Sequence, residues 1–212
     1  MGFAHDGDGD RVVFVDENGL VIEGDQILGI LAIDKHQSKS LTSNGFVATI
    51  NSNSGLSETL KKNDLSLHRS DVGDRNVYLK MKKLGCNWGG ESSGHIICTD
   101  YLNTGDGLFA ALSVLRCYVK KEPKSFSKFC KQVKLWPSKS GAVKVKQKVP
   151  IEKLTSLQDC LKEINAKLGA NGRTLVRYSG TEPKLRILVE ARNRKLVNKV
   201  YAKIYETMRK IS

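Results

Sequence analysis

The stretch Asp6-Gly7-Asp8-Gly9-Asp10-Arg11, followed at once by Val12-Val13-Phe14-Val15, decides how the rest of the chain is interpreted. Three carboxylates alternate with two glycines, so a tight turn can bring several oxygens to one point without larger side chains in the way. A set of oxygen ligands without sulfur or imidazole is typical of Mg²⁺ rather than zinc. The sequence therefore predicts a hard-cation site at Asp6, Asp8 and Asp10, on a loop that opens onto a β-strand.

Two other interpretations of this stretch stay open. An EF-hand calcium loop also begins with alternating aspartates, but Arg11 stands where that loop needs glycine, and a strand pattern follows instead of a helix. The stretch is also compatible with a solvated acidic turn that binds no metal.

Composition places the chain among ordinary globular proteins. Its 212 residues are 40% hydrophobic and 27% charged, enough to bury a core in one or two domains. No apolar run approaches the ~20 residues of a membrane span, and the acidic N-terminus does not resemble a signal peptide. The five cysteines form no Cys-x-x-Cys pair. We therefore expect a cytoplasmic protein with reduced thiols and no membrane partner.

The net charge of +13 is confined to one half of the sequence. Residues 1–133 hold 16 basic and 16 acidic residues, whereas residues 134–212 hold 19 and 6. This asymmetry favours an anionic partner for the second half, either a phosphorylated small molecule or nucleic acid, although lysines on solvated faces also explain much of it. Aromatic residues do not alternate with the basic ones as single-strand binding requires, so nucleic acid is disfavoured.

Strand and helix patterns alternate along residues 12–119. Asn18-Gly19 between two short apolar runs predicts a β-hairpin. The helix predicted over 106–119 is the most apolar, and we expect it to be the most buried. The alternation indicates an α/β sheet with helices on both faces. The remaining predicted strands are 46–50, 65–69 and 96–98. Three more helices are predicted: one begins at Gly24, one covers 54–63 and one begins at Gly73.

Loop residues around 136–141 and the change in charge predict a domain boundary there. The pattern after this boundary begins with a strand that has Val143, Val145 and Val149 on one face, followed by a helix that ends at Gly169. Two strands, over 174–177 and 185–190, and a last amphipathic helix complete it. This β-α-β-β-α order predicts a small α+β unit.

Three further loops carry groups suited to chemistry. Gly89-Gly90-Glu91-Ser92-Ser93-Gly94-His95 offers the donors and acceptors that sugar hydroxyls need, and Arg177-Tyr178-Ser179-Gly180-Thr181-Glu182-Pro183 offers guanidinium, hydroxyl and backbone donors to a dianion. Val72-Gly73-Asp74-Arg75 places an acid and a base at a helix start. A solvated turn stays open as the alternative for each of the three.

The four loops, in this order, resemble those of the α-D-phosphohexomutases, most closely the bacterial phosphoglucosamine mutases. The resemblance implies a mixed-sheet α/β domain, the family's domain 3, followed by a small α+β, TBP-like domain 4. It implies three segments: residues 1–24 as the end of domain 2 with the metal loop, 25–133 as domain 3 and 134–212 as domain 4. Phosphomannomutases and phosphoglucomutases share the plan, so mannose and glucose phosphates stay open as substrates.

The resemblance also implies roles for matching residues. The three aspartates would hold Mg²⁺, Arg11 would face the transferred phosphoryl group, and Asp74 and Arg75 would line the cleft. The implied reaction interconverts glucosamine 6-phosphate and glucosamine 1-phosphate through a bisphosphate intermediate. The implied substrate-binding residues are Glu91, Ser93 and His95 for the sugar hydroxyls, and Arg177, Ser179, Gly180, Thr181 and Arg186 for the other phosphate.

One part of the family pattern is missing from these 212 residues. The family's phosphoserine loop, of the Ser-His-Asn-Pro type, does not occur in the sequence. We therefore expect this chain to be the C-terminal portion of such an enzyme, to lack the N-terminal domains as partners and to be inactive alone. The contrasting hypothesis is a non-enzymatic phosphate- or nucleic-acid-binding module.

Overall fold

The computed structural model describes residues 1–211, and its internal contacts divide the chain between Leu135 and Trp136 into two units. Each unit buries its own apolar side chains. No helix within residues 1–211 is both long enough and apolar enough to cross a lipid bilayer.

The first unit begins with a small antiparallel sheet of three strands in the order β1-β2-β3. The predicted hairpin between β2 and β3 is confirmed. Its turn is held by the Asp16 carboxylate, which accepts hydrogen bonds from the N–H groups of Asn18 (2.8 Å) and Leu20 (3.0 Å), while Gly19 takes a positive φ of 76°. The strands are β1 (Gly2–His5), β2 (Val12–Val15) and β3 (Val21–Ile22).

The larger sheet of the first unit has four strands in the order β5-β4-β6-β7. The first three are parallel and β7 is antiparallel to β6, which confirms the predicted mixed sheet. Its strands are β4 (Gly45–Thr49), β5 (Ser66–Ser70), β6 (Trp88–Gly90) and β7 (Ile96–Cys98). The helices of the unit are α1 (Gly24–Gln37), α2 (Ser54–Lys61), α3 (Asp74–Leu84), α4 (Gly107–Lys121) and α5 (Phe126–Cys130).

Alternation along β4 explains why helices cover both faces of this sheet. Phe46 and Ala48 point into the core shared with α1, α2 and α4, whereas Val47 points to the opposite side, toward Val77 and Met81 of α3. All five side chains are fully buried. A strand buried on both faces reads as a continuous apolar run, as residues 46–48 do.

The burial of α4 differs from the expectation. It is indeed rich in apolar residues, but Leu108, Leu112 and Val119 on its outer side are more than half exposed. The most buried helix is α1, in which the run from Ile27 to Lys35 is buried throughout. The reason is position: α1 contacts α2, α4, α5 and β6, whereas α4 packs on the other elements with one side only.

Strand β6 was not predicted because two of its three residues are glycines, which strands normally avoid. A Cβ at Gly89 would lie 2.8 Å from the carbonyl oxygen of Val47, and one at Gly90 would lie 2.6 Å from that of His95. The glycines are therefore required by the close approach of the neighbouring strands.

The second unit is an antiparallel sheet in the order β8-β10-β9. Leu185, Ile187 and Val189 are buried on its helix-covered face, so Lys184 and Arg186 belong to the opposite face. The predicted β-α-β-β-α order is confirmed, although β8 ends before Val145 and Val149. The elements are β8 (Ser138–Lys144), α6 (Thr155–Leu168), β9 (Gly172–Tyr178), β10 (Lys184–Ala191) and α7 (Arg194–Lys210), with 3₁₀ turns at Ile151–Lys153 and Gly169–Asn171.

Candidate functional site

Two of the candidate loops meet at the carboxyl edge of the parallel strands. The loop after β5 contains Gly73, and its N–H donates a 3.0 Å hydrogen bond to the Glu91 carboxylate, which directly follows β6. Strand β4 lies between β5 and β6, so the strand order reverses there. In open α/β sheets, ligands bind outside the carboxyl ends of the strands at such a reversal. This edge is therefore the place in the first unit best suited to a ligand.

The acidic loop joins the same edge through backbone contacts. Arg11 and His95 form an isolated antiparallel bridge, and the N–H of Val12 donates to the carbonyl oxygen of Gly94 at 3.2 Å. Gly94 has a φ of 91°, and a Cβ there would lie 2.2 Å from the carbonyl oxygen of Val12. A residue with a side chain could not hold the two loops this close.

The three aspartates converge as the sequence predicts for a cation site. One carboxylate oxygen each from Asp6, Asp8 and Asp10 lies within 4.8 Å of the others. Ligands about 2.1 Å from one Mg²⁺ are about 3.0 Å apart when adjacent and about 4.2 Å apart when opposite, so the three carboxylates would have to move closer together to bind one ion. Three carboxylate oxygens from one turn are the type of ligand that Mg²⁺ prefers.

The carboxylates of the acidic loop are not all saturated by protein donors. Asp6 accepts a hydrogen bond from the Arg11 backbone N–H at 3.2 Å, and the Arg11 Nε lies 3.6 Å from both Asp6 and Asp10. The Oδ1 atom of Asp10 is buried, yet it accepts no hydrogen bond from any residue in the range 1–211. A buried, unpaired oxygen is costly, so this atom is poised to accept a ligand.

His95 lies in a different environment from the one expected for a sugar-binding residue. It is 2% exposed, and both ring nitrogens are used within the fold: Nδ1 lies 3.1 Å from Asp10 Oδ2, and Nε2 accepts the N–H of Gly105 at 3.1 Å. Contact with a sugar hydroxyl would require one of these bonds to break. In this structure the partners of the His95 ring are Asp10 and Gly105.

The sequence did not predict a role for the segment Gly105-Asp106-Gly107, which packs against the backbone of the acidic loop. The N–H of Gly107 donates to the Gly9 carbonyl oxygen at 2.9 Å, and a Cβ at Gly107 would lie 2.7 Å from the Arg11 carbonyl oxygen. Asp106 caps α4 by accepting the N–H of Phe109 at 2.8 Å. The signal available in the sequence was a Gly-Asp-Gly triplet immediately before a helix.

The other predicted residues of the first unit lie around this edge with accessible side chains. Ser93 is exposed in the loop after β6, and Asp74 and Arg75 are exposed in the first turn of α3. Glu91 is partly buried because it holds Gly73. The structure thus brings the acidic loop, the loop after β5 and the loop after β6 together on one edge.

In the second unit, the predicted anion loop joins β9 to β10. Arg177 and Arg186 are direct Cα partners across these two strands. The two guanidinium groups therefore start from neighbouring positions on one face of the sheet. Of the loop residues, Gly180 and Thr181 are exposed, whereas Ser179 is 3% exposed.

Internal bonds fix the conformation of this loop. The N–H of Ser179 donates to the Lys184 carbonyl oxygen at 2.8 Å, and Lys148 donates to the Ser179 carbonyl oxygen at 2.8 Å. Glu182 pairs with Lys184 and, at 2.9 Å, with Arg186, and the hydrogen bond from Lys184 holds the pKa of Glu182 below its usual value. Lys148 was not singled out from the sequence because it is 31 residues away from the loop.

Comparison with known sequences identifies the protein family of this chain. Two domain models match, described as "Phosphoglucomutase/phosphomannomutase, alpha/beta/alpha domain III" over residues 23–135 and "Phosphoglucomutase/phosphomannomutase, C-terminal domain" over residues 142–207. The chain belongs to the phosphoglucomutase/phosphomannomutase family. The resemblance inferred from the four loops is thereby confirmed, and the α/β and α+β folds agree with the two family domains.

Several relatives in the family are phosphoglucosamine mutases. The protein of that name from Campylobacter fetus is 44% identical over 204 residues, and the one from Chelativorans is 40% identical over 208 residues. These matches cover 96% and 98% of this chain but 45% and 46% of the relatives. The chain therefore spans about half the length of the curated relatives that it matches.

Solved structures show the same fold at lower identity. The Aspergillus fumigatus N-acetylphosphoglucosamine mutase, crystallised with GlcNAc-6P and magnesium, superposes with a TM-score of 0.80 at 20% identity, over 97% of this chain and 51% of that one. A phosphomannomutase-like protein from Thermus thermophilus gives a TM-score of 0.69 at 18% identity, over 98% of this chain and 45% of that one.

Proposed function

We propose that this chain carries the metal-binding, sugar-binding and phosphate-binding loops of a phosphoglucosamine mutase, which interconverts glucosamine 6-phosphate and glucosamine 1-phosphate. The observation that supports this most strongly is the direct junction of the acidic loop with the loop after β6, through Arg11–His95 and Val12–Gly94. A cation site beside a loop rich in hydroxyl and carboxylate groups suits a substrate that is both a polyol and a phosphate ester.

The acidic loop is the proposed Mg²⁺ site, with Asp6, Asp8 and Asp10 as protein ligands. When bound, the ion would neutralise charge on the phosphoryl group being transferred. Arg11 would add a second positive charge at the same place, since its guanidinium already lies 3.6 Å from two of the three carboxylates.

Sugar hydroxyls are the proposed partners of Glu91 and Ser93. Glu91 has one oxygen occupied by Gly73, which fixes the orientation of the carboxylate and leaves its second oxygen for a hydroxyl donor. Asp74 and Arg75 stand next to Gly73 at the start of α3, where an acid and a base could contact the sugar or its phosphate. His95 is left out of this set because both of its nitrogens are engaged.

The loop between β9 and β10 is the proposed site for the phosphate that does not react. Arg177 and Arg186 would supply charge, Gly180 and Thr181 would supply backbone and hydroxyl donors, and Ser179 would hold the loop in place through its backbone. In a reaction that passes through a bisphosphate, such residues bind and orient. They transfer no proton or phosphoryl group themselves.

The 212 residues contain no Ser-His-Asn-Pro-like loop, so the chain by itself lacks the serine that would carry the phosphoryl group. We propose that turnover needs the further domains that make up the other half of the relatives. Residues 1–24, with the three-stranded sheet and the acidic loop, would belong to the domain that precedes domain III.

Binding of glucosamine 6-phosphate to the purified chain tests this proposal. We expect saturable binding by calorimetry that Arg177→Ala weakens at least about tenfold, the range for loss of a charged hydrogen bond. Lys195→Ala is the matched charge control, because the eight residues of β10, roughly 25 Å at 3.3 Å per residue, separate it from the anion loop. Equal loss in both variants would contradict a specific site.

The same experiment separates the alternatives. Tighter binding of mannose 6-phosphate or glucose 6-phosphate than of the glucosamine ester would change the sugar while keeping the enzyme class. A salt-dependent gel shift with nucleic acid, without saturable phosphosugar binding, would support the non-enzymatic module instead.

A further inference from the structure

The environment of His95 gives this residue a role that neither its loop nor the family comparison assigns. The ring sits just before β7, is 2% exposed, and connects three separate segments: the acidic loop, the loop after β6 and the start of α4. A histidine buried to this extent, with both nitrogens bonded, is fixed in position and in orientation.

The hydrogen bonds identify which nitrogen carries the proton. The backbone N–H of Gly105 can only donate, so Nε2 of His95 must be the unprotonated acceptor at 3.1 Å. The ring proton is then on Nδ1, and it is donated to Asp10 Oδ2 at 3.1 Å. This approach requires glycine at position 105, since a Cβ there would lie 2.5 Å from Nε2.

The bond from His95 determines how the Asp10 carboxylate is turned. Oδ2 accepts the hydrogen bond from the imidazole. The other oxygen, Oδ1, is buried and accepts no hydrogen bond from residues 1–211. The nearest positive group is the Arg11 Nε, at 3.6 Å. One oxygen is therefore occupied by the protein, and the other keeps its lone pairs for a ligand.

We propose that His95 is a positioning residue for the divalent cation: its Nδ1–H holds Asp10 so that Oδ1 is presented to the ion. This rests on the proposed function of the acidic loop as a metal site. Residues that hydrogen-bond a metal ligand orient it and tune its affinity, and their loss costs about 10–100-fold in metal affinity.

Two substitutions of His95 separate the donor to Asp10 from the acceptor for Gly105. An asparagine amide nitrogen occupies nearly the position of Nδ1, so His95→Asn keeps the donor to Asp10 and loses the acceptor for Gly105. A glutamine side chain reaches the position of Nε2, so His95→Gln keeps that acceptor and loses the donor. The pair therefore differs in the one hydrogen bond to which the proposal assigns the effect.

Divalent-cation affinity of the whole chain is the readout, measured with Mn²⁺ by electron paramagnetic resonance and with Mg²⁺ by competition. We expect His95→Asn to stay within about threefold of the unmodified chain and His95→Gln to bind about 10–100-fold more weakly. Equal affinity of the two variants, whether both strong or both weak, would overturn the proposal. If the unmodified chain binds neither ion, the metal site itself is absent and the proposed function fails with it.

A second measurement applies even if a variant does not fold. Nitrogen chemical shifts of the His95 ring in the unmodified, ¹⁵N-labelled chain report its tautomer directly. The proposal requires a protonated Nδ1 and an unprotonated Nε2. A proton on Nε2 would overturn the proposal independently of any substitution.

Discussion

Gly94→Ala is the substitution that most directly tests whether the acidic loop is held by the loop after β6. Alanine at this position must adopt a φ near 91°, and its Cβ would lie 2.2 Å from the carbonyl oxygen of Val12. Backbone strain of this kind costs about 1–3 kcal/mol. If the loop moves to relieve the overlap, the hydrogen bond from the Val12 N–H is lost as well, at about 0.5–1.5 kcal/mol.

Together these terms lower the free energy of unfolding of the first unit by roughly 2–4 kcal/mol. Urea denaturation followed by fluorescence measures this, because Trp88 is buried in the first unit while Trp136 begins the second. A Trp136→Phe background leaves Trp88 as the reporter. With a urea m-value of about 2 kcal/mol/M, the midpoint should fall by about 1–2 M.

Gly7→Ala is the control, since a Cβ at Gly7 meets no atom within 4 Å and its φ is not positive. We expect that variant to stay within about 0.5 kcal/mol of the unmodified chain. If Gly94→Ala is as stable as Gly7→Ala, the close junction of the two loops is not a determinant of the fold, and the reasoning fails.

Two further predictions follow from the side chains and the sequence. The Glu17 carboxylate accepts hydrogen bonds from the Ser127 hydroxyl at 2.5 Å and from the Ser127 N–H at 3.1 Å, and these bonds lower the pKa of Glu17 from 4.5 to about 2. The contact therefore stabilises the folded chain above about pH 4.5, and this stabilisation is lost as the pH falls toward 2. The unfolding midpoint of Glu17→Gln should depend less on pH between these values than that of the unmodified chain, and an unchanged dependence would contradict this assignment. The purified chain with glucosamine 6-phosphate, Mg²⁺ and a bisphosphate activator should form no glucosamine 1-phosphate by NMR, and measurable turnover would refute the need for a phosphoserine domain.

Local patterns were sufficient to predict most of the fold. The Asn18-Gly19 turn and the alternation along β10 are short-range signals, and both predictions are confirmed. Strand β1 was not predicted because Gly2–His5 is only four residues long and exposed. Strand β6 was missed because two of its three residues are glycines, and the carbonyl group of Val47, which leaves no room for a side chain at Gly89, lies far away in sequence.

Some residues of the candidate site could be predicted from local sequence, and others could not. Charge and glycine spacing within a loop point to the aspartates, to Glu91 and to Arg177, because the chemistry of these groups is visible locally. The role of His95 depends on Asp10, 85 residues away, and on the backbone of Gly105. No local pattern contains that information, so the imidazole appeared from the sequence to be one more polar group in a sugar-binding loop.

Glycine amide resonances of the ¹⁵N-labelled chain, followed during addition of Mg²⁺ and then glucosamine 6-phosphate, test the central claim most directly. We predict that Mg²⁺ shifts Gly7 and Gly9, and that the phosphosugar then shifts Gly73, Gly94 and the glycine of the anion loop between β9 and β10. Shifts confined to the opposite edge of the four-stranded sheet, or no shifts at millimolar ligand, would contradict it.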